Sequence, residues 1–309
     1  MTLDALTVAI RAVLYIDLLT MFGSGVFGLN GLRSAEHAVR VLPLRRWLAG
    51  MAVLGLLVSV MQIVVMAASM SGVPLTVVNG DVLEKLINGT LIGTAWKVRM
   101  AALLTMVPVS VLVARTPRAG LLLAIVFAGV AVATFAWAGH GAMNSGAIGW
   151  LHLGADVVHL FAAGAWIGAI AALCTLLFDG RVALNAVRLS LLYCALKDFA
   201  STGTVVVGLI LLTGILNLWI IVGMPNVLSL PNHAYGRLLL VKIALFVAML
   251  CLAAGNRFRL SPALGRVHEQ GDPRTALAML RVSLAAEAGC ALTILAITAW
   301  LGTLAPSGH

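Results

Sequence analysis

Eight long apolar runs divide this chain, and they constrain its fold more than any other feature. Each run reaches the roughly 20 mostly apolar residues that a helix needs to cross a bilayer. They cover residues 5–30, 44–70, 90–114, 119–139, 150–178, 197–223, 236–255 and 276–303. Charged residues make up only 10% of the 309 residues, against about 25% in a soluble domain. The chain is therefore predicted to be all-α, a polytopic membrane helix bundle of about eight transmembrane helices forming a single domain over residues 1–309.

The basic residues predict how this bundle is oriented. The connectors after the first, third, fifth and seventh spans, with the adjoining helix ends, hold 14 of the 20 Lys and Arg residues. We call this face of the bundle the arginine-rich side. The connectors of the opposite face, the arginine-poor side, hold only Lys85 and Arg237. The positive-inside rule places the arginine-rich side in the cytoplasm and both termini in the periplasm. The net charge of +9 is explained in this way, and no nucleic acid is expected as a partner.

The fifth span carries three ionisable residues on one face. At 100° per residue, Asp156 and His159 lie within about 40° of His152, and Trp166 continues the same stripe. Such groups are costly inside a membrane and indicate a functional site. His152 and His159 are separated by a rise of about 10.5 Å, whereas metal–nitrogen bonds are about 2 Å long. The stripe therefore favours two separate binding positions at different depths, which we call stations, over one shared site. Alternatively, Asp156 only orients an imidazole that binds the metal.

Soft ligands are concentrated toward the arginine-poor side. His140 and Met143 lie in the connector before the fifth span, and Met66 and Met70 are one helical turn apart at the end of the second. The four cysteines lie closer to the arginine-rich side or mid-membrane. Thioether and imidazole ligands on one side with thiols on the other suit a copper ion that moves from an oxidising to a reducing compartment. Ordinary packing is the competing interpretation for the methionines and cysteines, because both fill apolar cores.

Other ionisable residues fall deep inside spans, namely Asp17, Arg99, Lys242 and Glu287. Groups at this depth are expected to pair with one another or to line a wet cavity. One interpretation pairs Arg99 and Lys242 with Asp17 or Glu287, and the other is a functional polar pathway. Motifs for ATP hydrolysis or proteolysis are absent from the sequence, so we expect neither an ATP-driven pump nor an enzyme.

Several sequence blocks resemble the bacterial copper-resistance protein D family. They include TLIGTAWKVRMAALL at Thr90–Leu104, the His-x-x-Ala-x-x-x-Trp-Ile-Gly pattern from His159 to Gly168, YGRLLLVK within Tyr235–Leu264, and the last span with Glu287. The resemblance covers about residues 85–306, and the first two spans match only in hydropathy and Met content.

This resemblance implies an inner-membrane protein that handles copper and moves it from periplasm to cytoplasm. It also implies a periplasmic copper-binding partner of the CopC type, which we expect to be a separate chain. The matching polar positions are His140, His152, His159 and Glu287.

The sequence therefore predicts a copper permease of the bacterial inner membrane that works without ATP hydrolysis, with a copper ion of either oxidation state. The candidate metal ligands are His140, His152, His159, Met143, Met66, Met70, Asp156 and Glu287. Two alternatives stay open, a b-type haem redox protein with His ligands on facing helices and a non-transporting periplasmic copper sensor or scaffold.

Overall fold

The described part of the protein is almost entirely helical. The structure is a computed structural model, and it describes residues 2–32, 34–137, 146–178, 186–262 and 274–304, among which there is no β-strand. The helices are α1 (Leu3–Asn30), α2 (Ala35–Val41), α3 (Leu44–Ser71), α4 (Gly80–Gly89), α5 (Leu91–Arg115), α6 (Pro117–Trp137), α7 (Gly146–Phe178), α8 (Ala186–Val222), α9 (Ala234–Gly255) and α10 (Arg274–Leu301). A π-helical turn, Asn256–Leu260, extends α9.

The predicted membrane bundle is confirmed. Eight helices, α1, α3 and α5 to α10, are long and apolar enough to cross a membrane. Their bounds differ from the predicted spans mainly where helix continues beyond the apolar stretch. The helix α8, for example, begins at Ala186 rather than at residue 197. A helix can begin before the point at which its sequence becomes hydrophobic.

Two short helices occupy stretches that the sequence analysis treated as connectors. The Ser34 hydroxyl caps α2 by accepting the N–H of His37, and the Asn79 side chain caps α4 by accepting the N–H of Asp81. Ser and Asn are preferred at this position because they satisfy N–H groups that have no partner in the first turn. The apolar side of α4 then packs Leu86 against the arginine-poor end of α3.

The centre of the bundle is a close contact between α1 and α7. A side chain at Gly23 of α1 would overlap the backbone of Gly164 and Gly168 on α7, and one at Gly168 would overlap the backbone around Gly23. Gly164 and Gly168 lie about 120° and 160° around α7 from His152. The glycine face of α7 therefore seats against α1, and the stripe of polar residues on its other face is turned toward the C-terminal helices.

Candidate functional site

The first group of the α7 stripe, nearest the arginine-poor side, is a histidine–aspartate pair. His152 is 1% exposed, and its Nε2 lies 3.8 Å from Oδ2 of Asp156 one turn further along the helix. The other carboxylate oxygen of Asp156 accepts a hydrogen bond of 2.6 Å from the Asn217 side chain of α8. Lys242 of α9 lies near enough for its charge to act on Asp156. The carboxylate of α7 is thus held by a hydrogen bond from α8 and lies in the field of a positive charge on α9.

The second station is His159, which binds a neighbouring helix rather than Asp156. Its Nδ1 lies 2.9 Å from Oγ1 of Thr213 on α8, while that hydroxyl donates its hydrogen to the carbonyl of Leu209 at 2.6 Å. Because a hydroxyl has one hydrogen, the threonine oxygen accepts from Nδ1–H of His159. The neutral ring then has its lone pair on Nε2, which is the form that binds metal ions.

A third station lies on α10, beside the end of this stripe that is nearer the arginine-rich side. The carboxyl group of Glu287 on α10 is 4% exposed and accepts hydrogen bonds from the Asn256 side chain and from Trp166. A cavity of about 280 Å³ lies beside it between α7, α8, α9 and α10, in the half of the bundle nearer the arginine-rich side. His152, His159 and Trp166 therefore mark successive depths on one helix face that ends at this carboxyl group.

Met66 and Met70, among the remaining predicted ligands, are not brought to this stripe. His140 and Met143 lie outside the described residues. Met66 is half-buried against the Leu86 cluster, and Met70 is 66% exposed. Their helix, α3, packs on α1, α4 and α5. Within the described ranges, no group of three or more His, Cys, Asp or Glu residues is placed to hold one metal ion.

The predicted ion pairs of Arg99 and Lys242 with Asp17 or Glu287 are wrong. Among the described residues, neither base lies within 4 Å of either carboxylate. Arg99, only 2% exposed, donates instead to Oγ1 of Thr134 at 2.8 Å and to Oε1 of Gln62 at 2.7 Å, and its guanidinium stacks over the Phe135 ring. The guanidinium is satisfied by neutral oxygens and an aromatic face, which sequence spacing does not reveal.

Three polar residues of this site were missed by the sequence analysis, namely Thr213, Asn217 and Asn256. Each is a hydrogen-bonding residue in or at the end of an apolar span, which is the signal that could have identified them. Their importance comes from the residues they face on other helices.

The chain is similar to known copper-related membrane proteins over its whole length. Residues 1–150 match the family described as "Copper resistance protein D-like, N-terminal domain", and residues 194–301 match "Copper resistance protein D". The chain is 42% identical over 305 residues to Copper resistance protein D of Pseudomonas syringae pv. tomato, an alignment that covers 98% of this chain and 97% of that protein.

Two further relatives are more distant or match a shorter segment. Inner membrane protein YebZ of Escherichia coli (strain K12) is 27% identical over 275 residues, covering 86% of this chain and 88% of that protein. Copper transport protein CutJ of Bacillus subtilis (strain 168) is 39% identical over 105 residues, covering 32% of this chain and 17% of that protein. No solved structure matches the chain. His152, Asp156 and His159 fall between the two family matches, within the full-length similarity.

Proposed function

The chain belongs to the copper resistance protein D family, and we propose that it is a copper permease of the bacterial inner membrane that works without ATP hydrolysis. Copper is its cargo, taken up from the periplasm and released to the cytoplasm. The assignment of the arginine-rich side to the cytoplasm rests on the positive-inside rule. A periplasmic copper-binding protein of the CopC type, as a separate chain, is the proposed donor.

The polar stripe of α7 is the observation that carries this proposal. It holds two imidazoles at different depths and a carboxylate between them, all directed away from the glycine face that seats on α1. The hydrogen bonds to Thr213 and Asn217 of α8 turn these residues toward the bundle rather than toward lipid. Each position along this path offers too few ligands to trap an ion. Such spacing suits a conducting route better than a storage site, because conduction requires binding that is weak enough to release the ion.

The proposed route begins at the arginine-poor side. His140 and Met143 capture copper, and the ion then meets His152 beside Asp156. The negative charge of Asp156 stabilises a cation at this depth, while Asn217 holds the carboxylate in place. Nε2 of His159 offers the next ligand, and the carboxyl group of Glu287 ends the route beside the cavity.

Copper uptake by the purified chain in proteoliposomes tests this proposal. We expect His152→Ala and His159→Ala each to lower the uptake rate by about tenfold or more, since a ligand is lost. His37→Ala is the matched control, because His37 lies on α2, away from the stripe, and it should transport like the parent. Uptake by both stripe variants equal to the parent's would contradict the proposal.

The same preparation separates the two alternatives. Copper binding without uptake above empty vesicles would favour the sensor or scaffold. A Soret band in the purified protein would favour the haem protein, whereas a colourless protein that binds copper would exclude it.

A further inference from the structure

The cavity between α7, α8, α9 and α10 has a buried floor and an exposed rim. Its volume is about 280 Å³. The wall residues that α7 and α10 contribute are buried, as the exposures of Trp166 (5%) and Leu284 (1%) illustrate. The exposed wall residues all lie on α8 or at the end of α9, namely Thr204, Ala254, Arg257 and Phe258. The cavity is therefore closed by α7 and α10, and it opens at the surface of the bundle between α8 and α9.

The two helices beside this opening are packed on different neighbours. In the described part of the chain, α8 packs mainly on α7, and α9 mainly on α10. They are joined near the π-helical turn, where Arg257 donates to the carbonyl of Ala200 at 3.0 Å and to the Thr204 hydroxyl. Only 22% of the membrane window of α8 and 6% of that of α9 is buried, against 61% for α7. Apolar helix surface that protein leaves uncovered in a membrane faces lipid, so the opening faces the bilayer.

The interior of the cavity suits a hydrocarbon chain. Most of its wall consists of Ala, Gly, Leu, Ile, Val and Phe residues. On the floor, Asn256 and Trp166 donate hydrogen bonds to Glu287. At the rim, Arg257 donates to Thr204. Each polar wall residue thus has a hydrogen-bond partner in the protein, and the apolar wall that remains is stabilised when an apolar ligand covers it.

Basic side chains stand at the rim. Both hydrogen bonds of Arg257 leave from Nη1, and a guanidinium has five N–H donors, so Nε and Nη2 can bind a further acceptor. Lys197 of α8 is exposed and lies within about 20° of Thr204 around the helix axis, about two turns nearer the arginine-rich side. The neighbouring acid, Asp198, lies about 120° from Thr204. The rim is therefore positively charged on the side where long basic side chains reach the membrane interface.

We propose that this cavity binds an anionic phospholipid from the leaflet on the arginine-rich side, with one acyl chain between α8 and α9 and the phosphate bound by Arg257 and Lys197. A guanidinium fork donates two parallel hydrogen bonds to a phosphate, and basic pockets between membrane helices bind anionic headgroups. A free phosphate ion would leave the apolar walls uncovered, and a lipid without net charge would leave the basic rim unpaired. The headgroup ligands are not candidate copper ligands, so this site does not depend on copper transport.

Native mass spectrometry of the full chain tests the headgroup contacts. The protein in detergent micelles is mixed with dioleoyl phosphatidylglycerol or with dioleoyl phosphatidylcholine, which have the same acyl chains. We expect one phosphatidylglycerol to stay bound to the parent under conditions that remove phosphatidylcholine. The double variant Arg257→Gln/Lys197→Gln should bind phosphatidylglycerol about tenfold more weakly or worse. Equal retention of the two lipids by the parent would overturn the proposal.

A charge-matched control separates this site from general attraction to a basic surface. Arg115→Gln/Arg118→Gln removes two exposed charges on the same side, from helices that do not line the cavity, and it should retain phosphatidylglycerol like the parent. Equal losses in the two double variants would overturn the site. If the loss of the Arg257 bonds to α8 prevents folding, Lys197→Gln alone provides the test, because an exposed lysine at the rim can be changed without removing those bonds. Unchanged binding in that variant would then contradict the proposal.

A bulky residue at the rim tests the acyl chain. Ala254 is an exposed wall residue, so Ala254→Trp blocks the opening without entering the packed core, and we expect it to lose the bound phosphatidylglycerol. Ala248→Trp is the matched control, since Ala248 is exposed on the same helix but does not line the cavity. Retention of the lipid by Ala254→Trp at the parent's level would overturn the placement of the chain in the cavity.

Two further outcomes identify a different occupant. Displacement of phosphatidylglycerol from the parent by millimolar inorganic phosphate would show that the phosphate alone carries binding, and would contradict the acyl-chain contact. A parent that binds no lipid but forms a dimer that Ala254→Trp disrupts would show that a second copy of the chain covers the opening. Selective loss of phosphatidylglycerol in the rim variants, with both controls unchanged, would support the lipid site.

Discussion

Asn217 of α8 donates a hydrogen bond of 2.6 Å to the carboxylate of Asp156 on α7, whose other oxygen lies 3.8 Å from the His152 ring. Asn217 thus holds the acid that faces the imidazole nearest the arginine-poor side. Groups that orient ligands in this way contribute strongly to metal affinity, although they never touch the metal.

Replacement of Asn217 by alanine is therefore expected to weaken copper binding at the outer station by about 10- to 100-fold. The reason is that Asp156 loses the donor that positions it. Competition with a copper chelator measures the change. Asn30→Ala is the control, because Asn30 only bonds the carbonyl of Val26 on its own helix. An Asn217→Ala variant with the parent's affinity would show that Asp156 does not act on the bound ion.

Substitution of Gly168 by alanine should destabilise the bundle, because the new methyl group would overlap the α1 backbone around Gly23. Overpacking of this kind costs about 1–3 kcal/mol. Thermal unfolding in detergent should show a lower midpoint. Gly154→Ala on the same helix is the control, since a side chain there meets nothing within 4 Å. Equal midpoints for the two variants would mean that α1 and α7 separate without cost.

Arg99→Lys is expected to lower stability even though the charge is kept. The guanidinium reaches Thr134 and Gln62 on two helices and stacks over Phe135, and an ammonium group cannot reproduce this planar fork. We expect a loss of about 1–3 kcal/mol from the poorly satisfied polar groups, measured as a lower unfolding midpoint. Lys97→Arg, an exposed exchange on the same helix, should leave it unchanged. A stable Arg99→Lys protein would indicate that charge alone matters at this position.

The methionines of α3 should matter less for transport than the histidines of α7. Met66 and Met70 lie on one stripe with Gln62, and Gln62 is bound to the Arg99 guanidinium one turn deeper. A cation moving inward from Met66 meets a positive charge, which repels it. We expect Met66→Leu/Met70→Leu to keep copper uptake within about twofold of the parent, since Leu conserves the packing. A loss as large as that of His152→Ala would place the main route on α3 instead.

The fold was predictable from the sequence because each membrane helix can be recognised from its own hydropathy. A run such as residues 119–139 is apolar on every side, and no partner is needed to recognise it. The helices α2 and α4, capped by Ser34 and Asn79, were not predicted, because short helices between the spans carry no comparable hydropathy signal.

The relative placement of the site residues was predictable only within α7. The angles that place His152, Asp156 and His159 on one face follow from helix geometry alone. The contacts with Thr213 and Asn217 do not, because they depend on how far α8 is shifted along α7. That shift is set by packing between helices. Packing also determines that neutral groups, rather than the expected acid, lie beside Arg99.

The glycine contact between α1 and α7 also sets an order of events during synthesis. Gly23 leaves the ribosome about 145 residues before Gly168, which at about 5–20 residues per second is a delay on the order of ten seconds. During this delay the surface of α1 around Gly23 has no α7 to pack against. The N-terminal half is then in the bilayer with this surface exposed. The insertion machinery and the surrounding lipids therefore have to cover the surface until α7 is inserted.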